Sequence, residues 1–156
     1  MRGEDPVDPL LLGVLLSSQA WAASIQVVDR NAETPIVTIE GDIEQGDGKI
    51  FEQTVTNFQK AVIGLSSEGG RIGAGVYIGE VIRAKGFATV VPNGEKCSSV
   101  CGVIWLAGNP RLIGPKAHVG FHAAYDGETM EENGAANAVV GAGANNEAYA
   151  YRRRTT

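Results

Sequence analysis

The run Ala61-Val62-Ile63-Gly64-Leu65 constrains the fold more than any other part of the chain. It is nearly unbroken in apolar character and of strand length, as a strand covered on both faces of a parallel sheet requires. Parallel neighbours need crossover connections, so helices are expected on either side of it. Residues 51–60 place Phe51, Val55 and Phe58 at offsets of four and three, one face of a helix. Residues 72–85 repeat apolar side chains at Ile72, Val76 and Ile82, and Gly86 follows where a left-handed C-cap belongs. Further strands are expected at 25–28, 36–39, 88–91, 111–113 and 119–123, and a short helix at 99–107. The alternation predicts an α/β fold. Gly46-Asp47-Gly48 and residues 66–70 read as loops. Gly73, Gly75 and Gly79 each cost ~1 kcal/mol against alanine inside a helix, which predicts close packing of that helix on the sheet.

The first residues bear on the compartment. Residues 10–16 (LLLGVLL) are apolar but shorter than the ~20 residues of a membrane-spanning helix, and they lead into Ser17, Ser18, Gln19 and then Ala20-Trp21-Ala22. This is the outline of a signal peptide, with small side chains at Ala20 and Ala22 suited to a signal peptidase. Cleavage is expected after Ala22, with a cut one residue later as the near alternative. Arg2 stands among Glu4, Asp5 and Asp8, a more acidic start than such leaders have. The expected organisation is a signal peptide at 1–22 and a single domain at 23–156, exported to a bacterial periplasm or beyond, with no membrane segment once the leader is gone. No repeat and no interdomain linker is visible. A net charge of -5 gives no surface for tracking phosphates, so nucleic acid is not an expected partner. The basic run 152–154 reads as a solvated tail, and residues 135–140 carry a weak helical pattern.

Ser99 lies in Cys97-Ser98-Ser99-Val100-Cys101-Gly102, between a strand and an apolar helix. A helix start offers unpaired N–H groups and a positive dipole end, both favourable to an oxyanion. A serine hydroxyl needs a base, and the chain has two imidazoles, His118 and His122. On one strand these would lie ~13 Å apart, so one of them at most reaches a given serine. His122 is nearer the strand's C-terminal end, where open α/β sheets hold ligands. The bland alternative is an N-cap serine beside ordinary sheet-edge polar residues. Cys97 and Cys101 are close enough for a disulfide in an exported protein, and two free buried thiols are the alternative. With the histidines they imitate a zinc finger, but Val119-Gly120-Phe121 favours a strand that would spread the ligands apart, so no metal is expected.

Residues 65–75 (LSSEGGRIGAG), the serine segment, and Pro115-Lys116-Ala117-His118-Val119-Gly120-Phe121-His122 together resemble the three-part signature of the Clp protease proteolytic subunit family, within the ClpP/crotonase superfamily. The likeness is greatest to its exported, periplasmic relatives and spans residues 36–125. It implies a right-handed spiral of strand-helix units, with its C-terminal part cut short here, and assembly into homo-oligomers. Carried over, Ser99 is the nucleophile, His122 the general base, and the N–H groups of Gly70 and Val100 the oxyanion hole of a serine endopeptidase-like hydrolase acting on peptides or proteins. No cofactor is implied, since nothing here matches the phosphate site of the acyl-coenzyme A-binding relatives. The family's orienting acid has no counterpart; Asp126 is a substitute that matches no family position, and weak activity is expected on that account. A Ser-Lys dyad using Lys96 or Lys116 ranks second. A noncatalytic module holding an extended peptide in the same groove is the alternative function.

Overall fold

The structure is a computed structural model, and it describes residues 22–122. The leader through residue 21, Asp126, the pattern at 135–140 and the basic run at 152–154 lie outside the described residues.

The chain opens with β1 (Ser24–Val27) and β2 (Ile36–Glu40), followed by α1 (Asp47–Val55), β3 (Val62–Ser66) and α2 (Ile72–Lys85). Then come β4 (Ala88–Val91), β5 (Lys96–Ser98), α3 (Val100–Ala107), β6 (Arg111–Ile113) and β7 (His118–Gly120). Among the described residues, five strands form the main sheet in the order β1-β2-β3-β4-β6. β1 is the antiparallel edge, and the other three pairings are parallel. The apolar run at 61–65 accordingly becomes a central strand, with Ile63, Gly64 and Leu65 buried. Ile39, Ile63, Leu65 and Val91 of the sheet share one core with Phe51 and Val55 of α1, Ile78 and Ile82 of α2, and Ile104 of α3. Each such side chain contributes ~1.5–3 kcal/mol by leaving water.

A second, shorter layer positions the site. Past their ends in the main sheet, several strands bend and pair again in the same neighbour order. Ile43, just after β2, bridges Gly70, and Ser67, just after β3, bridges Cys97; both bridges are parallel. β5, after β4, then pairs in parallel with β7, which follows β6. This stacking of strand-helix turns is the spiral that the sequence leads one to expect.

Local differences have identifiable causes. α1 starts four residues earlier than the apolar spacing suggests, because the Asp47 carboxylate accepts the Glu44 N–H while the Glu44 carbonyl accepts the Asp47 N–H, closing the first turn. β5 has no strand-like composition; its partners, the Ser67 backbone and β7, hold it extended. Gly86 caps α2 at φ 67° as expected. The helical glycines pack α2 on α3 rather than on the sheet: a Cβ at Gly75 would lie 2.2 Å from Val100 Cγ2, and one at Gly79 would lie 3.5 Å from Ala107 Cβ. Gly73 has open space beside it.

The Gly75 contact makes a size-exchange prediction. Gly75→Ala should cost ~1–3 kcal/mol, since Val100 is buried and β-branched and has no easy retreat. Gly75→Ala combined with Val100→Ala should recover part of that loss, read as a coupling energy in urea denaturation. Strict additivity of the two single costs would show that the helices do not meet there.

Candidate active site

Ser99 occupies the single residue between β5 and α3, at φ 57° and ψ -128°. Among the described residues it is the one non-glycine with positive φ. Such a conformation costs ~1–3 kcal/mol and persists only where the surroundings enforce it. Here they do: the Ser99 N–H donates to the Gly120 carbonyl at 2.9 Å, and the Ser99 carbonyl accepts the Gly102 N–H at 3.0 Å. Strand, strained residue and helix form a sharp elbow that holds the side chain out at a helix N-terminus. Ser99 is half-buried, and its Oγ makes no hydrogen bond with any described residue.

The loop after β3 faces that hydroxyl. A Cβ at Gly69 would sit 2.6 Å from Ser99 Cβ and 3.1 Å from Ser99 Oγ, so glycine leaves the room in front of the serine. Ser67, buried at 5% exposure, ties the loop down by accepting the Gly69 N–H at 3.0 Å. Gly70 stands at φ 137° with its flanks fixed to Ile43: the Ile43 N–H donates to the Gly69 carbonyl at 2.8 Å and the Arg71 N–H to the Ile43 carbonyl at 2.7 Å. The Gly70 N–H and the Val100 N–H donate to no described group. Gly69 and Ser67 were not singled out in the sequence; the Gly-Gly pair was the available signal for the first, and nothing marked the second.

The pairing of β5 with β7 orders the two histidines. His118 lies opposite Lys96, and Gly120 opposite Ser98. At ~3.3 Å per residue, His118 is ~10 Å back along the strand from the level of Ser99, whereas the chain leaving Gly120 passes that level on its way to His122. His122 is exposed. Ser98 belongs to the other side of β5, its Oγ being 3.6 Å from where a Gly120 side chain would begin.

Cys97 and Cys101 form a disulfide with Cα atoms 5.1 Å apart, and the bridge encloses Ser99. Cys97 is fixed by β5 and Cys101 by the first turn of α3, so the bridge ties together the two arms of the elbow. Lys96 forms an exposed ion pair with Glu68 at 3.7 Å, and the Lys116 backbone N–H donates to Asn93 Oδ1 at 3.0 Å; among the described residues neither lysine is hydrogen-bonded to Ser99. Charge is perturbed elsewhere, in an open recess lined in part by Lys49, Arg71 and Tyr77. The Tyr77 hydroxyl beside Lys49 raises the ammonium well above its ordinary range, with Glu52 adding to it, and Lys49 in turn lowers the Glu52 carboxyl. All three groups are polar partners at the surface, and none touches the elbow. No helix among the described residues is long and apolar enough to cross a membrane.

No family model matches the chain, and no curated protein matches its sequence. Solved structures do match. A mutant of the 1510-N membrane-bound stomatin-specific protease is similar at 19% identity and a TM-score of 0.50, over 62% of this chain and 52% of that one. A second mutant of that protease, in complex with a substrate peptide, is similar at 20% identity and 0.51, over 62% and 49%. A ClpP1 mutant from Listeria monocytogenes is similar at 21% identity and 0.52, over 62% and 60%. This chain therefore spans about half to three fifths of the length of these structures. The fold is α/β and ClpP-like.

Proposed function

We propose that this protein is an exported, serine peptidase-like hydrolase that acts on peptide bonds in the periplasm or outside the cell. Residues 1–22 are its leader and 23–156 its single domain, working as a homo-oligomer on peptide or protein substrates. Ser99 Oγ attacks the scissile carbonyl carbon as His122 takes its proton. The N–H groups of Gly70 and Val100 receive the developing oxyanion. His122 then returns the proton to the leaving amine, and water hydrolyses the acyl-serine in a second, equivalent round.

The observation that carries this reading is the strained elbow at Ser99, held open by Gly69 on one side and pinned to Gly120 on the other. A core or capping serine has no need of that conformation. A peptide-binding role without cleavage is supported by the Ser99 hydroxyl, which makes no hydrogen bond among the described residues. A fluorophosphonate probe separates the two. Peptide mapping after incubation should place a slowly formed adduct on Ser99; no adduct, or one on a different serine, overturns the peptidase reading.

A further inference from the structure

Asp47, the first residue of α1, is completely buried, and the proposed function does not use it. Its Oδ2 accepts two backbone N–H groups, from Glu44 at 2.7 Å and from Ala23 at 3.1 Å. Its Oδ1 is buried and has no hydrogen-bond partner among the described residues. A first-turn aspartate that closes its own helix start accounts for the Glu44 bond. It does not account for the Ala23 bond, which spans 24 positions in sequence, or for a carboxylate oxygen left without a donor. An uncompensated buried carboxylate oxygen is costly, and a protein retains one where something supplies the missing donor.

Ala23 is where that donor arises. It is 8% exposed, packs over Gly41, and immediately precedes β1, whereas Ala22 is exposed. The bond between them is the expected signal-peptidase site. Hydrolysis there adds water across the amide: the C–N bond breaks, Ala22 leaves as a carboxylate, and the proton released goes to the new amine of Ala23. The single N–H now facing Asp47 becomes an ammonium with three donors, enough to keep Oδ2 and also reach Oδ1.

We propose that the buried Asp47 carboxylate is a receptor for the α-ammonium of Ala23, so that removal of the leader after Ala22 completes an ion pair inside the fold. This rests on the export reading given above. The pair links the edge strand β1 to the start of α1. It also makes the exact position of the cut matter, since one extra residue carries the charge out of the pocket.

The test compares chains ending at Thr156 and beginning at Met1, at Ala22 or at Ala23, the latter two released from a fusion that leaves no added residue. The Ala23 form should melt ~5 °C or more above the other two. Its α-amine should be reductively methylated at least ~10-fold more slowly than that of the Ala22 form, because a buried, paired ammonium is rarely the free base. Asp47→Asn should erase the melting difference between the Ala22 and Ala23 forms. Should that variant fail to fold, the amine reactivities of the two wild-type forms still decide the matter. Equal melting temperatures and equal reactivities would overturn the pairing itself. Separately, the N-terminus of protein recovered from cell envelopes should be Ala23; an intact Met1 would overturn the proposal through its export reading, whereas a terminus at Ser24 would leave export standing and overturn the pairing at Ala23, whatever the purified forms show.

Discussion

Ser99→Ala should abolish fluorophosphonate labelling while Ser98→Ala leaves it within ~3-fold of wild type, the contrast that general-base activation of one hydroxyl implies. Ser98 ends β5 with its Oγ 3.6 Å from where a Gly120 side chain would begin, whereas the turned backbone at Ser99 puts its Oγ 3.1 Å from where a Gly69 side chain would begin. The same assay ranks the histidines. A positioned general base contributes ~10²–10⁴ in rate, so His122→Ala should slow labelling by about that factor. His118→Ala should change it less than ~3-fold, because the β5–β7 register keeps His118 level with Lys96. Equal loss at both histidines would show that the base is not chosen by that register, and equal labelling of wild type and Ser99→Ala would remove the nucleophile. Asp126→Asn completes the series. Loss of the orienting acid costs ~10⁴ in a well-formed serine triad, so a large fall would make Asp126 that acid. No change would leave the role to another residue.

How far these groups were legible in the sequence depended on whether the determinant was local. The run at 61–65 declared a buried parallel strand, since only a strand covered on both faces tolerates it, and Gly86 declared the end of α2, since αL backbone favours glycine. The extended conformation of Lys96–Ser98 was not legible, because it is imposed by Ser67 and β7, distant in sequence. Gly46-Asp47-Gly48 has the composition of a turn, yet it starts a helix, with Gly48 small enough to let Tyr77 lie against it. Nothing in the sequence marks Asp47 as buried, and the Ala23 N–H that it accepts lies 24 positions away. The site followed the same rule. The order of Gly70, Ser99 and His122 could be matched to a family pattern, whereas the left-handed backbone at Ser99 and the closeness of Gly69 are products of the second layer of strands.

Gly70→Ala should be among the most damaging single methyl groups that can be added to this protein. Two costs coincide there. At φ 137° the backbone is in a region that L side chains rarely adopt, worth ~1–3 kcal/mol. The new Cβ would also fall 2.1 Å from the Ile43 carbonyl oxygen, 2.7 Å from its nitrogen and 2.9 Å from its carbonyl carbon. These are backbone atoms, so no rotamer relieves the overlap, and the seam made by the Ile43 and Arg71 N–H bonds must open, at ~1 kcal/mol for each bond. The combined loss of ~3–5 kcal/mol is a large part of a domain's stability and should lower the melting temperature by ~10–20 °C. Gly86→Ala is the matched control: that residue also has positive φ, but nothing lies within 4 Å of the added Cβ. It should cost only ~1 kcal/mol, the strain without the collision. A difference of less than ~2 °C between the two variants would mean that the Ile43–Gly70 seam is not closed in solution. Ser99 labelling at a temperature where Gly70→Ala remains folded supplies the functional half. Alanine keeps the backbone N–H, but opening the seam moves it off the position it holds beside Ser99. Since an ill-placed oxyanion donor is worth up to the ~10²–10³ in rate that losing one costs, folded Gly70→Ala should label up to that much more slowly, while labelling at the wild-type rate with the seam shown to be open would take Gly70 out of the oxyanion hole.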